Sequence, residues 1–164
     1  MFREMRRKNQ VLSQEDCVAI LNQGTSGVLA VLGDEGYPYA VPLSYVYRDG
    51  KLYFHSAVSG HKLDAIRANP KASFCVIGQD HIVPEEYTTY FRSVIAFGVV
   101  RVMEDAAEKR KVIEALALQY APEDTPESRM AAIDRDWERL CLLEFSIEHL
   151  SGKEAIELAR KRRS

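Results

Sequence analysis

The feature that most constrains this chain is how turn residues cut its first third into short apolar and aromatic runs. Gly27-Val28-Leu29-Ala30-Val31-Leu32 ends at Gly33-Asp34-Glu35-Gly36, a turn signal. Tyr37 to Tyr47 is rich in β-branched and aromatic residues, and Arg48-Asp49-Gly50-Lys51 carries the Asp-Gly dipeptide of a tight hairpin. Leu52-Tyr53-Phe54-His55 then reads as the return strand. Runs this short, punctuated this closely, make a β-meander and leave no room for amphipathic helices.

Helical signals lie on either side of the meander. Ser13 caps a helix over Gln14 to Asn22, with Asp16 three residues on and Gly24 past its end. Ser59 is the expected N-cap of a short helix over Gly60 to Ala68, stopped by Asn69-Pro70. Ala72 to Ile77 reads as a strand, Gly78 to Tyr90 as a polar loop, and Arg92 to Met103 as a long strand with a bulge or close approach at Gly98. Asp105 and Glu108 form a capping box ahead of a helix with Val112, Ile113, Leu116, Ala117 and Tyr120 at helical spacing. A further helix is expected over Glu127 to Arg135, a last strand over Leu140 to Leu150 and a terminal helix over Gly152 to Arg162. The sum is α+β: an antiparallel barrel-like sheet with peripheral helices, in one domain spanning residues 1–164.

Composition narrows the function classes. A hydrophobic content of 46%, a charged content of 28% and a net charge of -2 are ordinary for a globular protein. The basic runs at the two termini are short and balanced by acidic residues elsewhere, which argues against a nucleic-acid partner. No apolar run has the length of a membrane span and no signal-peptide core is present, which points to the cytosol. Cys17, Cys75 and Cys141 make no CxxC pair and read as small hydrophobes. His55, His61, His81 and His149 lack metal-ligand spacing, so no metal is expected. Gly24-Thr25-Ser26-Gly27 precedes a strand and does not open a helix, which excludes a Rossmann or P-loop reading.

Chemistry concentrates between Leu52 and Asp64. A strand ends at His55-Ser56, the small residues Ala57-Val58-Ser59-Gly60 follow, and a helix begins with His61-Lys62. The unpaired amides and positive dipole end of a helix start attract anions, and small residues let an anion approach. A cation at that end is unfavourable by dipole alone, so it calls for an anion or a nearby carboxylate such as Asp64. The alternative is an ordinary capped helix with solvated first-turn side chains.

Tyr37-Pro38-Tyr39-Ala40-Val41-Pro42-Leu43-Ser44-Tyr45-Val46-Tyr47, followed by Gly50-Lys51-Leu52-Tyr53-Phe54-His55-Ser56-Ala57 and Gly60-His61-Lys62, resembles the pyridoxamine 5′-phosphate oxidase-like, FMN-binding split-barrel superfamily. Within it the chain is most similar to the nitroimidazole-resistance branch, which Met5-Arg6-Arg7-Lys8 and Ile147-Glu148-His149-Leu150-Ser151-Gly152-Lys153 also resemble. The resemblance implies a split β-barrel, a homodimer, and FMN at the subunit interface. It implies that Val41, Pro42, Leu43 and Ser44 line the isoalloxazine ring, and that His55, Ser56 and Ala57 meet the ribityl chain and phosphate. It further implies that His61 and Lys62 bind the phosphate and that Ser93 adds a polar contact. His61 is also the candidate for a proton-transfer role, since histidine titrates near neutrality. FAD, deazaflavin and haem are the secondary cofactor expectations.

Pyridoxamine phosphate oxidases proper carry an Arg and a Lys where this chain has Tyr39 and Ser44, and a C-terminal Arg-x-His element that is missing here. The vitamin-B6 reaction is therefore disfavoured. The leading expectation is an oxidoreductase that reduces a small acceptor, such as a nitro-aromatic, with a reduced nicotinamide. The alternative is a non-enzymatic flavin-binding or sensory module.

Overall fold

The computed structural model describes all residues, 1–164. At the Asp49-Gly50 hairpin both residues take positive φ, 49° and 79°, the mirror-image turn that matches strand twist. The turn joins β3 (Val46–Arg48) to β4 (Lys51–Ser56). Upstream lie α1 (Gln14–Gln23), β1 (Ser26–Leu32) and β2 (Pro38–Ser44). Ser13 caps α1 through the Asp16 amide at 3.0 Å, as its sequence dictates.

Downstream come α2 (His61–Ala68), β5 (Lys71–Val83), β6 (Thr88–Val102), α3 (Ala106–Tyr120), α4 (Pro126–Asp136), β7 (Cys141–Glu154) and α5 (Ile156–Arg163). All pairings are antiparallel, in the order β2-β1-β5-β6-β7-β4-β3. β2 and β3 are free edges, so the sheet curls without closing, and the fold is the expected α+β split barrel. Its inner faces meet in one core: Phe54 of β4 lies 5.0 Å from Phe74 of β5, and Tyr45 5.2 Å from the same ring. The Tyr45 hydroxyl donates to the Leu21 carbonyl at 2.7 Å, which ties α1 to the chain between β2 and β3. Leu63, Ala65 and Ile66 of α2 seal the same core. α3 packs on the outside of β4 and β7, with Val112 and Leu116 against Met103 and Leu142.

Several boundaries differ from the sequence reading. Residues 78–90 form no polar loop. β5 and β6 run on as a two-stranded arm, Gln79 pairing with Arg92 and Val83 with Thr88, turned by Pro84–Glu86 and by Tyr87 at φ 51°. Most of the arm's side chains are exposed, so it lacks the apolar alternation that marks a half-buried strand. The last strand runs beyond Leu150 because Ser151, Gly152 and Lys153 still pair with Ile95, Val94 and Ser93, so the final helix starts at Ile156 and not at Gly152. Gly98 does mark a bulge, with the register shifting between Phe97 and Gly98. Asp105 caps α3 through the Glu108 amide at 2.8 Å, but the Glu108 carboxylate turns to Arg101 and leaves the box half-made. No helix is long and apolar enough to cross a membrane.

Candidate functional site

β4 alternates as a strand must. Phe54 is buried inside, His55 faces out, and the chain leaves the sheet through exposed Ala57, Val58 and Ser59. Ser59 does not cap the helix. That place falls to Gly60, whose φ of 135° is left-handed territory where a side chain would be strained, and no side chain accepts from the first-turn amides of α2. The helix therefore starts with an open set of N–H donors.

Lys62 sits in that first turn, half-buried. It makes no ion pair, so Asp64 is not its partner. Burial pushes its ammonium below the ordinary lysine range, and only the thiolate form of Cys141 would pull it back. His55 is likewise pushed down, first by burial and then by the charge of Lys62, which favours its neutral form. Ser56 pairs with Cys141 across β4 and β7, and burial pushes the Cys141 thiol up and keeps it protonated. The pieces match an anion cradle: uncapped amides, a cation without a counter-ion, and small residues at the approach.

The structure separates the basic pair. The His61 ring stacks on Tyr39 at 4.2 Å and accepts from the Asp34 amide at 3.4 Å, with the Asp34 carboxylate 3.7 Å away. His61 is thus engaged with the β1–β2 turn, while Lys62 lies near His55 and Cys141.

The strand residues fall on two faces. Val41 and Leu43 pack against the core, whereas Pro42 and Ser44 are exposed on the outer face of the edge strand β2, whose free side offers unpaired backbone groups. Ser93 is half-buried on the same outer face, between Ile77 and Lys153. Register places Pro42, Val28, Cys75, Ile95 and Ser151 in one row across that face. Val28, Ile77, Ile95 and Phe97 remain exposed there. His55, Ser56 and Ala57 instead line a cavity of about 600 Å³ under α3 and α4, with Arg129 and Arg139 among its other walls. The two arginines are missing from the sequence reading, because no local motif links them to β4. The bare outer face has a signal that the sequence reading did not use: Phe74-Cys75-Val76-Ile77 and Val94-Ile95-Ala96-Phe97 are apolar on both faces.

A family profile described as Pyridoxamine 5′-phosphate oxidase matches residues 13–154. No curated protein sequence matches the chain significantly. Among solved structures, a candidate 5-nitroimidazole antibiotic resistance protein from Bacteroides thetaiotaomicron is similar, with TM-score 0.72 at 20% identity over 93% of this chain and 96% of that one. An FAD-binding protein from Mesorhizobium loti matches with TM-score 0.65 at 26% identity, over 89% and 97% of the two chains. A conserved hypothetical protein from Mycobacterium tuberculosis has TM-score 0.80 at 19% identity, over 98% and 94%. With the profile covering most of its length and the split barrel in place, the chain belongs to the pyridoxamine 5′-phosphate oxidase-like family.

Proposed function

We propose that this chain is a flavin-binding oxidoreductase that holds FMN at the interface of a homodimer and reduces a small acceptor, such as a nitro-aromatic, with a reduced nicotinamide. One observation carries the reading: Lys62 is a half-buried cation with no carboxylate partner, beside helix amides that nothing caps. A phosphate supplies the missing charge and acceptors, and raises the depressed lysine pKa back toward its ordinary value. The small residues Ser56 and Ala57 allow its approach. The bare outer face, with Pro42, Ser44 and Ser93 on it, fits a planar ring pressed between two copies of the sheet. When bound, the flavin supplies the redox chemistry. The protein supplies position and a dry wall, and burial and the charge of Lys62 favour the neutral form of His55 beside it.

The M. loti relative is described as FAD-binding, so FAD is the competing cofactor. The absorption spectrum of the purified protein, with the mass of the released cofactor, decides between FMN, FAD and no flavin. Consumption of reduced nicotinamide that depends on an added nitro-aromatic separates a reductase from a binding module. Lys62→Ala is expected to weaken FMN binding about tenfold with the fold intact, the scale of one charge-assisted contact. An unchanged affinity removes the phosphate from this place.

A further inference from the structure

We propose that the cavity between the α3–α4 hairpin and the outer face of β4 is a binding site for a planar aromatic acid, a carboxylate carried on a one- or two-ring body. At about 600 Å³ it has the size of a small-molecule site. Its shape comes from alanines. Ala117 of α3, Ala121 just past its end and Ala132 of α4 keep the facing helices from filling the space between them, and Ala57 does the same at the β4 end. Tyr120 closes one side, edge-on to His55 with ring centroids 6.0 Å apart. A slot with small residues on its faces and aromatic rings at its edge suits a flat apolar body.

The walls are fixed in advance. Arg110 of α3 bonds Asp134 of α4 at 2.7 Å, and Lys109 and Arg110 both cover the Trp137 ring, at 4.9 and 5.5 Å from its centre. The site is therefore preformed, which lowers the ordering cost of binding.

The charges in the slot specify an anion. Arg129 donates one Nη2–H to the Asp124 carbonyl at 3.0 Å but meets no carboxylate, and its Nε is the only buried side-chain nitrogen or oxygen in the molecule without a partner. Arg139 makes no ion pair. Of the two acids on the wall, Asp136 pairs with Arg135, outside the slot, at 3.4 Å, while Asp124 accepts from the Thr125 amide at 2.9 Å, keeps its charge and forms no ion pair with either arginine, so two guanidinium groups face one free carboxylate. Two arginines thus line an apolar slot with their counter-charge incomplete, and guanidinium is the side chain best shaped for a carboxylate.

The test uses the protein as purified and 2-naphthoate as the probe, titrated by calorimetry and by the fluorescence of Trp137, the sole tryptophan. Saturable one-to-one binding is expected, about tenfold tighter than that of the neutral 2-naphthamide. Arg129→Met is expected to weaken it by about tenfold and Ala132→Phe to abolish it, with unchanged circular dichroism and melting for both. No saturable binding, equal affinity for the amide, or full binding by Ala132→Phe overturns the proposal. Because His55, Ser56 and Ala57 belong to both regions, the filtrate is also assayed for flavin. Stoichiometric release of flavin by 2-naphthoate would give the slot to the cofactor and overturn a separate acid site. The titration needs no flavin, so a colourless protein defeats the flavin reading while this one still stands or falls on naphthoate binding.

Discussion

The outer surface of the one sheet has two halves, and they are finished in different ways. Over β4 and β7 the chain covers itself: α3 lays Val112 and Leu116 on Met103 and Leu142, and Leu116 and Leu142 are fully buried. Over β1, β5 and β6 no helix arrives. Val28, Ile95 and Phe97 stay 38–40% exposed, and Ile77 reaches 69%. Phe2 alone from the N-terminal segment stacks there, against His149 at 4.7 Å. Outward-facing side chains on both halves are apolar, so the hydrophobic effect asks for a cover on each. One cover is encoded in the same chain. In the proposed homodimer the other comes from a second copy, which makes the bare half a place where a planar cofactor can be enclosed.

The largest expected effect lies in the covered half. Leu116→Ala removes a fully buried side chain from a small cluster and is expected to cost about 2–5 kcal/mol of unfolding free energy in urea titration. A loss below about 1 kcal/mol would mean that α3 is a loose flap, and the contrast between the halves would collapse. The bare half predicts the opposite pattern. Ile95→Arg on an exposed row leaves the monomer's stability within about 0.5 kcal/mol. It is expected to convert the dimer to monomer in sedimentation and to release bound flavin. A variant that remains dimeric breaks the assignment of this face to a second copy.

Legibility in the sequence followed the same division. Elements built on local chemistry were plain: the Asp49-Gly50 hairpin, the Ser13 and Asp105 caps, the Gly98 bulge, and the helical spacing from Val112 to Tyr120. The arm at 78–90 was opaque because its strands pair only with each other, and neither alternates: Asp80, His81 and Ile82 are all exposed and Thr88, Thr89 and Tyr90 all half-buried. The His61-Lys62 pair shows a second limit. Adjacent residues in a helix point about 100° apart, so neighbours in sequence need not share a ligand, and Tyr39 and Asp34 hold His61 elsewhere. The alanine slot lay beyond any local reading, since Ala57, Ala117 and Ala132 meet only after two helices fold back on β4.

The smallest expected effect sharpens the claim that the covered half is complete in itself. Glu144 of β7 is 4% exposed at the rim of that half. Burial pushes its carboxyl up, but hydrogen bonds from Arg101, at 2.9 and 3.0 Å, and the Lys51 ammonium at 3.1 Å outweigh it and hold the group below its ordinary value of 4.5. A carboxylate with a depressed folded-state pKa contributes stability that is fully present above the unfolded value and is lost as pH falls through the folded one. Wild-type protein is therefore expected to exceed Glu144→Gln by about 1 kcal/mol at pH 7, because Arg101 and Lys51 are partly solvated and screened. The advantage should begin to shrink below about pH 4.5. Urea midpoints of both proteins from pH 7 to pH 3 measure it. A constant difference across that range would mean that Glu144 contributes shape and not charge, and that the rim of the covered half is held by packing alone. Lys62 has no such carboxylate, so the same titration on Lys62→Met without flavin should show no acid-dependent loss: that cation waits for an anion that the chain does not provide.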